Sequence, residues 1–118
     1  MSEQGNEFTN ATDSIGGVKV FENERLRVWQ TQLEPGERLP AHRHARPYFW
    51  TATTAGQSRS RYADGRVVES EYKTGDTRFF DLTIATGFVH DLENTGSTRL
   101  CFVTVEFSSR ENPFSESQ

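Results

Sequence analysis

Cysteine is nearly absent from this 118-residue chain. Cys101 stands alone, so no intrachain disulfide can form and the fold must rest on packing and backbone pairing. That usage suits a reducing compartment. Long apolar runs are missing as well. No stretch approaches the roughly 20 residues that a membrane-spanning helix needs, and the segment from Met1 to Asn10 lacks the apolar centre of a signal peptide. A cytoplasmic protein with no membrane partner is the expectation. Clustered positive charge is lacking too. Thirteen Lys and Arg against 17 Asp and Glu leave a net charge of −4, and the arginines are scattered. Nucleic-acid binding draws its affinity from basic charge gathered against phosphates, so no nucleic-acid partner is expected. Apolar residues make up only 33% of the chain, and no long segment repeats them every 3.6 residues, so helices should be few or none.

What the chain does have favours strands. Its apolar content is skewed to nine Phe, three Tyr, two Trp and many Val, residues that suit a pleated, half-buried surface. The length fits one domain. Residues 1–16 are polar and rich in small side chains, as expected of a flexible arm or of an edge strand lent to a neighbour. Residues 108–118 form a polar tail, which leaves 17–107 as the folded part. Within it, short β-type segments alternate with turn signals. Val18 to Phe21, Leu26 to Leu33, Gln57 to Tyr62, Arg66 to Tyr72, Arg78 to Ile84, Phe88 to Leu92 and Arg99 to Phe107 all have strand character. Leu39 to Thr54 does too, with breaks at Pro40 and Pro47. Pro35-Gly36 marks a turn, and Asp64-Gly65 predicts a two-residue hairpin. Seven or eight strands at this spacing predict an all-β sandwich or barrel.

The chemistry concentrates in three histidines. His42 and His44 are two residues apart, so on a strand they share a face and can take neighbouring positions on one ion. His90 is the one other histidine that could join them. A His-x-His pair by itself is more often solvated surface than a metal site.

The spacing around these residues resembles the two motifs of the cupin family. Five residues separate Gly36 from His42-Arg43-His44, and Tyr48 follows after three more. Gly75 precedes Ala85-Thr86-Gly87, two residues separate Gly87 from His90, and three separate His90 from Asn94. The match spans nearly the whole folded region. It is most similar to the small single-domain cupins, in the branch that includes β-alanine degradation proteins. The resemblance implies an antiparallel β-barrel of the double-stranded β-helix or jelly-roll type. It implies a divalent metal (iron, zinc, nickel or manganese) held by His42, His44 and His90, and pairing into homodimers. The chain departs from the family where Tyr48 stands for the usual Glu and Ala85 for the usual Pro, and its stretch from Gly75 to Ala85 is long.

The lost carboxylate has a physical consequence. Three neutral imidazoles leave the charge of a divalent ion uncompensated, which favours a small anionic ligand in the open positions. Tyr48 shares parity with His44, so its ring is expected in the same pocket. There it is either a catalytic hydrogen-bond donor or a packing residue filling the place of the Glu. Trp50 continues that parity and Phe49 faces the other way. Arg46 is expected at the surface, with a carboxylate ligand as its alternative partner. Phe79, Phe80 and Phe88 are expected in the core or at a dimer contact, and Cys101 is expected to be a buried, inert thiol. Asp91 and Glu93 flank His90 and are expected as outward, solvated charge, with Asn94 as a turn residue before Thr95-Gly96. Three functional classes stay open: a metal-dependent enzyme, dioxygenase-like or other, acting on a small organic acid; a non-catalytic binding or sensing barrel, with or without metal; and a purely structural barrel.

Overall fold

The computed structural model describes residues 7–82 and 87–108. The expected run of strand to Ile84, the Ala85-Thr86 turn, residues 1–6 and residues 109–118 lie outside the described residues. Among the described residues nine strands follow in order: β1 (Val18–Glu22), β2 (Leu26–Leu33), β3 (Arg38–His44), β4 (Tyr48–Ala52), β5 (Gly56–Arg61), β6 (Val67–Tyr72), β7 (Thr77–Phe80), β8 (Phe88–Asn94) and β9 (Leu100–Phe107). They form a five-stranded sheet, β1-β2-β9-β4-β7, and a four-stranded sheet, β3-β8-β5-β6. Every pairing between these strands is antiparallel. Helix among the described residues is one turn at Glu7–Thr9.

The two sheets close over alternating inward side chains. β9 shows the pattern plainly: Leu100, Phe102, Thr104 and Glu106 are buried and the residues between them are half-exposed. Period-two burial of this kind is what one solvated and one packed face impose on a strand. Ala52, Leu100 and Phe102 form the core, with Trp50, Tyr72 and Leu92 packed on it. Trp50, Tyr72 and Phe102 meet edge to face, with centroids 4.9–5.4 Å apart. Burying a side chain such as Leu100 completely contributes about 1.5–3 kcal/mol.

Two local features differ from the sequence expectation. The Asp64-Gly65 hairpin is longer than two residues, because Tyr62 N–H donates to the Arg66 carbonyl at 2.9 Å and leaves three residues in the loop. Gly65 takes φ 96°, where a side chain would be strained, and the Asp64 carboxylate accepts from Arg66 N–H at 3.0 Å. The second feature is a register shift in the β3–β8 ladder between Leu39 and His42. Pro40 has no N–H to give to a ladder, so β3 bulges there. The bulge lets Leu39 and His42, three residues apart, both face the cavity inside the barrel.

The segment before β1 lies along the free edge of β3. Arg43 N–H donates to the Thr12 carbonyl at 2.8 Å, Ala41 N–H to the Glu7 carboxylate at 2.7 Å, and Ile15 is buried. Exposed strand edges invite pairing with other chains, and this segment covers one.

Candidate metal centre

The β3–β8 ladder places His42 directly opposite His90 and His44 opposite Phe88. Directly opposed residues on one face of an antiparallel pair have Cβ atoms about 4.5–5.5 Å apart. Adding His44 two residues along β3 therefore makes a triangle of imidazoles. The ring centroids are 4.7–5.0 Å apart, and one nitrogen from each ring lies within 4.8 Å of the others. The two motif segments are also tied at the far end of the ladder. Gly36 N–H donates to the Asn94 carbonyl and Asn94 N–H to the Glu37 carbonyl, both at 2.9 Å. Gly36 takes φ 86° to make that turn.

The donor set fits a divalent ion. His44 Nε2 and His90 Nε2 lie 3.1 Å apart. Two imidazoles at right angles on one ion, each with a metal–nitrogen distance of about 2.0–2.1 Å, are separated by about 3 Å. Nδ1–H of His42 donates to the Pro40 carbonyl at 2.8 Å, which fixes the tautomer and leaves Nε2 free to coordinate. Nδ1 of His44 and of His90 are buried with no partner among the described residues.

Burial also sets the protonation state. His90 is pushed down to about 3 by burial first, then by the neighbouring His42 and Arg66. His44 falls well below the ordinary histidine value because of burial, then His42 and His90. Burial lowers His42 as well, against the opposing pull of the Pro40 carbonyl and the Asp91 charge. All three are neutral at pH 7, the form that binds metal.

Tyr48 enters the site as its parity predicts. Its ring stacks on His44 at 4.1 Å and on Phe80 at 4.7 Å, and only 2% of the residue is exposed. Burial, with Tyr62 beside it, raises the phenol well above its ordinary value, so the hydroxyl stays protonated. Trp50 lines the same cavity, whereas Phe49 turns outward toward Phe107. The cavity has a volume of about 100 Å³. Its wall includes Ile15, Tyr62, Tyr72 and Arg78, none of which the sequence singled out for the site. Parity along β7 would have pointed to Arg78, but only once β7 was known to pair with β4.

The expectations for Asp91, Glu93 and Cys101 need correction. Asp91 is not solvated rim charge, because it is fully buried. Its carboxylate accepts from Arg38 Nε and from Arg61 N–H, both at 2.7 Å. Arg61 Nε lies 3.3 Å away, an ion-pair contact that is not aligned as a hydrogen bond. A side chain that faces away from the barrel interior can still be dry when neighbouring strands carry arginines over it, and alternation alone does not show this. Glu93 is half-buried and pairs with Arg59 and Arg61. Asn94 caps the turn by accepting from Gly96 N–H, and it also donates to the Leu33 and Thr98 carbonyls from a fully buried position. Cys101 is half-buried rather than buried. Arg46 donates to the Ser108 carbonyl at 2.8 Å and does not line the cavity.

No protein-family model and no curated protein matches the chain. Solved structures do. A cupin domain from Bordetella pertussis Tohama I is similar at TM-score 0.67 and 25% identity, over 80% of this chain and 95% of that one. A conserved protein with a double-stranded β-helix domain from Klebsiella pneumoniae is similar at TM-score 0.57 and 23% identity, over 86% and 79% of the two chains. A predicted oxalate decarboxylase from Thermotoga maritima is similar at TM-score 0.54 and 24% identity, over 75% and 76%.

Proposed function

The protein is a cupin by fold, and from that premise we propose that it binds a divalent metal through His42, His44 and His90 and presents it to a small anionic ligand in the barrel cavity. The observation that carries this reading is the convergence of three neutral imidazoles, those of His42 and His44 buried and that of His90 half-buried, with a 3.1 Å Nε2–Nε2 approach. A bound divalent ion would supply Lewis-acid polarisation, or redox chemistry if it is iron.

The chain's own residues do the rest. Pro40 holds the His42 tautomer. The stacked Tyr48 ring fixes the plane of His44, and its protonated hydroxyl is available as a donor. Leu39, Leu92 and Phe102 give the cavity an apolar side. In the enzymatic form of this reading the ligand is a small organic acid, which the metal orients while Tyr48 donates to it. A non-catalytic binding or sensing role is the second reading. It is favoured by the lack of any carboxylate among the described cavity residues, which leaves no general base apart from the imidazoles themselves.

Elemental mass spectrometry of the purified, untagged protein tests the metal reading, run beside His42→Ala and His90→Ala. One metal per chain in the parent, lost from both variants while they stay folded, is the expected result. A parent that takes up no iron, zinc, nickel or manganese at neutral pH overturns it. Turnover of small acids by the loaded protein separates the enzymatic role from the binding role.

A further inference from the structure

The described wall of the barrel cavity holds one permanent cation, Arg78, and no carboxylate. Arg78 faces inward on β7 opposite Trp50, at the exposed end of the cavity. Its guanidinium lies 4.7 Å over the ring of Phe80. Phe80 stacks on Tyr48 and Tyr48 stacks on His44, so one aromatic wall runs from the arginine to the histidine triangle. Arg78 has no ion-pair partner among the described residues, and of the four described arginines without one, with Arg25, Arg43 and Arg46, it alone lines the cavity. Seating a guanidinium on a ring face leaves its N–H edge free, and that edge matches a carboxylate with two parallel hydrogen bonds.

An apolar cavity of about 150 Å³ is large enough for benzene. The volume of about 100 Å³ found here suits a ligand part of fewer heavy atoms than that.

We infer that Arg78 anchors the carboxylate of a short-chain organic acid at the exposed end of the barrel cavity. This deepens the anionic-ligand reading above and does not require the metal. Arg78 is on this account a specificity residue. It selects an anion of a few carbons over its neutral isostere.

The test is calorimetric titration of acetate, propionate and glycolate, with acetamide as the uncharged control. The parent, Arg78→Gln and Arg78→Lys are compared, and metal content is measured on every sample. Trp50 fluorescence is a second readout, since its ring lines the cavity. The acids are expected to bind the parent and acetamide is not. Arg78→Gln should weaken the acids about 10- to 100-fold, the range of a charged hydrogen bond, with metal content unchanged, and Arg78→Lys should recover part of the loss. Equal affinity of parent and Arg78→Gln, equal binding of acetamide, or no acid binding at all overturns the inference, even if the metal is present. A protein without metal that still binds acids through Arg78 supports the inference and sinks the metal reading.

Discussion

Replacing Asp91 with alanine should cost far more than any surface charge. The carboxylate is fully buried and is the common partner of Arg38 Nε, Arg61 Nε and Arg61 N–H. Removing one side of a buried charge pair typically costs 3–5 kcal/mol, because the remaining charge is left unpaired. Here Arg38 and Arg61 keep 31% and 33% side-chain exposure, so water recovers some of that loss. Arg38 also retains Glu7 at 2.7 Å and Arg61 retains Glu93 at 3.2 Å. The stranded Arg61 amide adds about 1 kcal/mol. The expected net loss is about 3 kcal/mol, or a fall in Tm of about 10–25 °C for a domain of this size. Urea unfolding followed by Trp fluorescence measures it, with Glu93→Ala as a control expected to lose under about 1 kcal/mol. Asp91→Asn should fall between the two, since it still offers an oxygen to the Arg61 amide. An Asp91→Ala loss under about 0.5 kcal/mol, the ordinary range for surface positions, would refute the burial argument.

Two other outcomes follow from the same geometry. The metal-free protein should lose stability as pH falls from about 6.5 toward 3. His90 is held neutral when folded down to about pH 3 and burial lowers His42 and His44 as well, whereas all three protonate freely when unfolded, so the unfolded state binds more protons in that window. Their contribution is fully present above about pH 6.5, and each histidine contributes a slope of up to about 1.4 kcal/mol per pH unit below it. Urea midpoints of chelator-treated protein across this range, set against His90→Gln, check the point, and identical slopes in the two proteins would count against it. Gly87→Ala should damage the site from outside it. A Cβ there would sit 2.0 Å from the His44 carbonyl oxygen and 2.9 Å from Ala45 Cα, both backbone atoms. The start of β8 must then move away from β3, at a cost of about 1–3 kcal/mol. Metal affinity should fall with the widened His44–His90 spacing, and an unchanged affinity in a fully folded variant would show that the ladder absorbs the strain elsewhere.

Much of the architecture was legible because strands announce themselves locally. Leu26 to Leu33 is a strand with the expected bounds, and Pro47 falls between β3 and β4 as expected. His42 and His44 share a face because a strand has period two, and Tyr48 follows the same parity into the cavity. The hairpin at Asp64-Gly65 was legible as a turn but not in length, since loop closure depends on which flanking N–H finds a partner. Asp91 was misread because alternation reports which face a side chain takes, not what lies over that face. Arg78 went unremarked because an arginine on a strand looks like any other until its neighbour across the sheet is known.

The sequence by itself determined the strand segments, their turns, the neutral-to-acidic surface and the two histidine motifs. Each of these depends on residues close together along the chain. Only the tertiary structure decided that β8 lies against β3 with His90 opposite His42, that a bulge at Pro40 brings Leu39 and His42 to one face, and that β7 lends Arg78 to the cavity. Those are matters of register between distant strands. Register is set by the summed fit of two sheets closing over one core, and no short stretch of sequence carries that sum.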